Sequence, residues 1–204
     1  MTMPCVIQSK KLQLQVQLIK AVEFGLVSSV LREYHAFANK KALAVFMSCV
    51  EPATSDEGRR TKSNSTGFSW MKSTLGLFCA TVICQMYAQC TDEHKRWDRL
   101  ELADLLRVTD AFRRKYPTYF RMPDDPKTAE NIIDINRIYA CLRHGMMGAK
   151  FSIEKCDTHG CDVKYVSVAT FSRKKCPMCL MKAKIKPQDE VVDGSAPALV
   201  AVSA

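Results

Sequence analysis

The residues best suited to chemistry lie near the C-terminal end: Cys156, Cys161, Cys176 and Cys179, spaced C-x4-C-x14-C-x2-C. Four thiols set two against two across a short loop suit a tetrahedral ion. Thiolate is a soft ligand and Zn²⁺ has no d-electron geometry of its own, so the spacing predicts zinc, one ion per chain. Pro177 fixes φ between the second pair and shapes a tight turn that brings both sulfurs to one side. The segment between the pairs, V-K-Y-V-S-V-A-T-F, is β-branched and aromatic and reads as a strand or hairpin. Two cysteine knuckles joined in this way predict a zinc-ribbon-like module. His159 stands at C-x-x-H from Cys156 and could replace Cys161 as a ligand. Gly160 would let the turn close just before Cys161, which favours the four-cysteine set. A disulfide reading needs an oxidising compartment, and no charged-then-apolar leader opens the sequence. A redox C-x-x-C would sit at the strand-to-helix junction of a βαβ unit, and no such pattern is evident.

Other catalytic constellations are not found. His35, His94, His144 and His159 fall in no H-E-x-x-H, nucleophile elbow or phosphate loop. The Lys175-Cys176-Pro177 order, with no upstream H-x-E, excludes the zinc deaminase signature. The expectation is a protein that is not an enzyme.

The elements that must position the cysteines are mainly helical. Residues 9–36 carry apolar residues near helical spacing, with Gly25 as a candidate break. Lys40 to Val50 follows, with Asn39 as a plausible N-cap. The pair of helices near residues 26–50 resembles a helix-turn-helix, although an ordinary helical hairpin is the simpler account. Residues 51–67 lack apolar periodicity and read as a flexible loop. Phe68 to Cys90 reads as a helix apolar on almost every side, buried within a domain or at a subunit interface. Its Ser73, Thr74, Thr81, Gln85 and Gln89 make it too polar to span a membrane. Asp98 and Glu101 suggest a capping box for a helix that Pro117 stops, and Thr128 is expected to cap the last long helix, ended by Gly145 and Gly148. The domain expectation is a helical domain over 1–148, a metal module over 149–186 and a disordered tail over 187–204.

Charge is uneven. The formal net charge is +9, and residues 143–186 carry ten Lys/Arg against three Asp/Glu. A basic patch on a small metal module suggests a polyanion, most simply nucleic acid. Two candidate sets stand out: Arg173, Lys174 and Lys175 before the second cysteine pair, and Arg59, Arg60 and Lys62 in the loop. The other six cysteines lie mostly in apolar, helix-like surroundings, as free thiols do in a reducing cytoplasm.

The helical start, the basic loop leading into S-T-G-F-S-W (Ser65 to Trp70), the long apolar helix, and the glycine-punctuated helix end before the four cysteines together resemble FlhC. FlhC is a subunit of the bacterial flagellar master transcription activator. The resemblance runs from about Leu12 to Lys182, and its first cysteine pair is spaced more widely than the family's usual one. It implies a structural zinc on four cysteines, assembly with an FlhD-like subunit into a hetero-oligomer, binding to promoter DNA and recruitment of RNA polymerase. The other class of function open to these residues is a zinc-stabilised scaffold or RNA-binding module.

Overall fold

The computed structural model describes residues 3–35, 40–50, 68–91, 99–169 and 173–184. Asn39, the 51–67 loop with Arg59, Arg60 and Lys62, Asp98 and the 187–204 tail lie outside them. The described chain is mainly α-helical, with one two-stranded antiparallel sheet near the C-terminus. Among the described residues no helix is long and apolar enough to cross a membrane.

Helix α1 (Met3–Glu23) turns Leu18, Ala21 and Val22 into the core and leaves Leu12, Val16 and Ile19 outside. It ends at a Schellman turn. Leu26 donates to the Ala21 carbonyl at 2.9 Å and Gly25 to the Val22 carbonyl at 2.8 Å. Gly25 has φ 84°, and a Cβ there would also meet Pro123 Cγ at 2.7 Å. Asn136 clamps this turn from across the core: its amide donates to the Gly25 carbonyl at 2.9 Å and its oxygen accepts from Val27 at 3.0 Å. The expected break at Gly25 is therefore present. Helices α2 (Ser28–Tyr34) and α3 (Lys40–Val50) follow.

Phe68 to Cys90 is not one helix. A 3₁₀ turn, Ser69–Lys72, precedes α4 (Thr74–Cys90). Ser73 between them caps α4 by accepting the Gly76 amide at 2.9 Å. Gly76 admits the turn, because a Cβ there would lie 2.0 Å from the Trp70 carbonyl oxygen. Leu77, Cys79, Ala80, Ile83, Cys84 and Tyr87 make α4 the buried centre of this chain. Burial of each large side chain contributes about 1.5–3 kcal/mol.

Helix α5 (Leu102–Lys115) packs on α4 through Leu105, Leu106, Val108 and Phe112. Its N-cap is Glu101, whose side chain makes no capping bond, so the helix opens three residues after the expected Asp98 cap. Arg113 and Arg114 near its end pair with Asp110, and Arg113 also lies over the Phe24 ring. These cations complement the helix C-terminus, as the sequence suggested.

The last long helix starts later than expected. The Thr128 hydroxyl closes a local turn by accepting from Asn131 at 3.1 Å. Residues around Ile133 are instead extended: Ile133 donates to Tyr119 at 2.9 Å and Arg121 donates to Ile133 at 2.7 Å. Helix α6 (Ile135–Tyr139) begins at Asp134, whose carboxylate accepts the Arg137 amide at 2.8 Å. It continues as a π-helical stretch, Ala140–Met146. Gly145 lies in that stretch because the Phe151 ring fills the space a Cβ would need.

Strands β1 (Phe151–Lys155) and β2 (Lys164–Val168) and helix α7 (Pro177–Lys184) complete the chain. Their core residues Cys156, Tyr165, Val166, Val168 and Cys176 are continuous with that of the helices. Phe68, from the stretch that carried the family resemblance, meets Phe151 of β1 with ring centroids 4.9 Å apart.

Candidate metal centre

The hairpin brackets the first cysteine pair. β1 delivers Cys156, residues 157–163 form the turn with Cys161 in it, and β2 returns. Gly160 adopts φ 73°, with open space where a Cβ would be, so its role here is conformational. Cys161 donates its amide to the Thr158 carbonyl at 2.9 Å, tightening the turn. The second pair opens α7. Cys176 stands just before the helix and Pro177 is its first residue, where a missing N–H costs nothing and the fixed φ suits the helix. The expected tight turn is thus the first turn of a helix, and the sulfurs meet between a hairpin turn and a helix N-terminus.

The four Sγ atoms lie within 4.8 Å of one another. Cys156 and Cys179 are separated by 3.8 Å, as are Cys161 and Cys176. A tetrahedron with metal–sulfur bonds of about 2.3 Å has edges of about 3.8 Å. A disulfide needs roughly half that separation. The donor set therefore fits one metal ion held by Cys156, Cys161, Cys176 and Cys179. His159 is exposed and outside the cluster, so Cys161 keeps its place.

Backbone amides prepare the sulfurs. Cys176 donates its amide to Cys156 Sγ at 3.2 Å, and Cys179 donates to Cys176 Sγ at 3.5 Å. The Cys176 amide and then the Thr158 hydroxyl hold the Cys156 thiol down at about 6. Burial pushes Cys176 up to about 12, and a cation bound at the centre would displace its proton to solvent. The core thiols differ. Burial raises Cys79 to about 12 and raises Cys84 and Cys141 too, which keeps them protonated and inert.

The centre is fastened to α4 by polar residues. Thr81 Oγ1 accepts the Val166 amide at 3.2 Å, and Gln85 Nε2 donates to the Lys164 carbonyl at 3.2 Å. Arg173 does the same for the strand-to-helix connection. Its guanidinium donates to the Lys72 carbonyl and to Thr74 Oγ1, while its own carbonyl accepts from the Tyr165 hydroxyl. Arg173 is half-buried and fixed on the helical body, whereas Lys174 and Lys175 are exposed. The Lys174 carbonyl accepts from Asp157 at 3.0 Å and so ties the two cysteine pairs together.

No family model matches the chain, and neither does any curated protein.

Two further cations belong with Lys174 and Lys175. The register sets Lys155 directly opposite Lys164 at the cysteine end of the hairpin. Like charges so placed repel. Asp162 meets Lys155 Nζ at 2.8 Å, but both side chains are largely exposed and the pair is weak. These lysines stand nine positions apart in sequence, and only the strand register reveals them as neighbours.

Proposed function

We propose that the chain is a DNA-binding subunit of a transcription activator, with one structural Zn²⁺ on Cys156, Cys161, Cys176 and Cys179 in a zinc-ribbon-like module. The observation that carries the reading is the sulfur cluster with exposed Lys174 and Lys175 beside it and Lys155 facing Lys164. Such lysines, held on a metal-braced backbone, supply phosphate contacts at a reduced entropy cost. The resemblance to FlhC supplies the rest: an FlhD-like partner, flagellar promoters, RNA polymerase and a cytoplasmic setting. Free thiols at the nine cysteines whose side chains are described suit that setting. The outward Leu12, Val16 and Ile19 of α1, at 62%, 57% and 39% exposure, offer a partner helix an apolar stripe that α4, buried within the chain, does not. The zinc's part is to fold and brace the module, and no residue is assigned a catalytic step.

Co-expression with the FlhD-like protein of the same genome, followed by footprinting on flagellar promoters, tests this reading. Protection at a discrete site supports the activator. A complex that binds promoter, unrelated DNA and RNA equally identifies a scaffold or RNA-binding module instead.

A further inference from the structure

The lysines before the second cysteine pair lead onto α7. From Arg173 to Lys184 the sequence holds five Lys/Arg and no Asp/Glu. The acidic residues of 149–186 that precede it, Glu154, Asp157 and Asp162, all belong to the hairpin and its turn. One side of α7 is anchored. Cys179 belongs to the sulfur cluster, Pro177 is buried, Leu180 and Met181 are half-buried, and the helix packs against α4. The other side is open. Met178, 43% exposed, and Lys182, also exposed, stand one turn apart on it. Exposed Lys174 and Lys175 lead into its N-terminal end. Along its axis this face therefore runs cation, apolar group, cation.

We infer that α7 lies in the major groove of the DNA bound by the proposed activator, where Met178 reads a thymine methyl and Lys182 and the Lys174–Lys175 pair hold phosphates on either side. The inference rests on the DNA-binding reading and adds the element that tells one sequence from another. The charge of the face, basic with no carboxylate of its own, selects a polyanion. Its size selects B-form DNA. The eight residues of α7 make a rod about 12 Å long, and the major groove is about 12 Å wide. The major groove of double-stranded RNA is too narrow for side chains to read. Phosphate contacts set the register without distinguishing sequences. A thioether is a poor hydrogen-bonding group, so Met178 discriminates by apolar contact, and in the major groove the C5 methyl of thymine offers that contact. Cys176 and Cys179 fix the start of the helix on the metal, so little freedom is lost when it docks.

The test uses the metal-loaded full chain in its complex and the promoter fragment that the complex protects. Met178→Ala should weaken binding to that fragment roughly tenfold, with binding to unrelated DNA and the salt slope unchanged. Lys182→Ala should weaken both DNAs alike and flatten the salt slope by about one unit. Both variants should keep wild-type circular dichroism and zinc content, because both side chains are exposed. Replacing thymine by uracil within the protected site removes the methyl alone. At one position or more it should cost the wild-type complex about fourfold and cost Met178→Ala nothing further. A duplex RNA of the same sequence should compete far less well than the DNA. Equal losses on both DNAs in Met178→Ala, equal uracil effects in variant and wild type, or equal competition by the RNA overturns the inference. A complex that binds no DNA removes it together with the activator reading. A complex that protects the promoter as well with Met178→Ala as without removes this inference alone.

Discussion

Thr81 Oγ1 stands between helix and sheet, accepting the Val166 amide at 3.2 Å while donating to the Leu77 carbonyl at 2.8 Å. Both residues are buried, so the hydroxyl satisfies a strand edge that water does not reach. Thr81→Val keeps the shape and leaves that amide unpaired. The expected loss is about 1–3 kcal/mol of folding stability, read from the urea midpoint at unchanged slope. Thr81→Ser, which keeps the hydroxyl, should recover most of it. A Thr81→Val protein as stable as wild type would show that α4 does not hold the hairpin in this way.

The metal should be stoichiometric and structural. Elemental analysis is expected to give one zinc per chain, and Cys161→Ser and Cys176→Ser should each lose it, while His159→Ala should keep it. Because Cys156 and Cys176 share one core with α4, chelation should lower the melting temperature of the whole chain as well as disorder the hairpin. Retention of the metal by Cys161→Ser with loss by His159→Ala would transfer the fourth ligand to the histidine.

Much of this was readable in the sequence, and the failures have physical causes. Apolar periodicity located α1, α3, α4 and α5, and the cysteine spacing located the cluster. The same helical pattern could not show that α4 would be wrapped by its own chain. The polar residues that argued against a membrane span, Ser73, Thr74, Thr81 and Gln85, cap α4 or bind the metal module. Ser73 caps locally, but the contacts of Thr74, Thr81 and Gln85 join residues 79 to 99 apart in sequence, beyond the reach of any local pattern. Thr128 misled because a capping hydroxyl serves a turn as well as a helix. Arg173, Lys174 and Lys175 read as one basic run, yet the backbone turns Arg173 to the helices and its neighbours to solvent.

That division predicts separable phenotypes. Arg173→Ala should lower stability and leave the salt dependence of DNA binding unchanged, because its guanidinium is already engaged by Lys72 and Thr74. Lys174→Ala with Lys175→Ala should leave stability and metal content alone. It should weaken binding to specific and unrelated DNA alike and flatten the slope of log affinity against log salt by about two units. Binding titrations across salt concentrations distinguish the two. An unchanged slope in the double lysine variant would remove these residues from the interface.

Two glycines with positive φ allow conformational strain to be separated from crowding. At Gly160, φ is 73° and nothing lies within 4 Å of a Cβ position, so Gly160→Ala is charged only the left-handed backbone cost, about 1–2 kcal/mol. At Gly25, φ is 84° and the Cβ would meet Pro123 Cγ at 2.7 Å, so Gly25→Ala adds a steric term to a similar backbone cost. Gly25→Ala should therefore be the more damaging of the two by equilibrium unfolding. Gly160→Asn should be milder than Gly160→Ala, since asparagine tolerates this region. The two alanine variants should differ in kind as well as in size. Gly160→Ala distorts the turn between Cys156 and Cys161 and should weaken metal retention in a chelator competition. Gly25→Ala, in the turn that Asn136 clamps, should lower stability with metal affinity unchanged. Equal losses of metal in both variants would mean that the knuckle turn does not set the geometry of the centre.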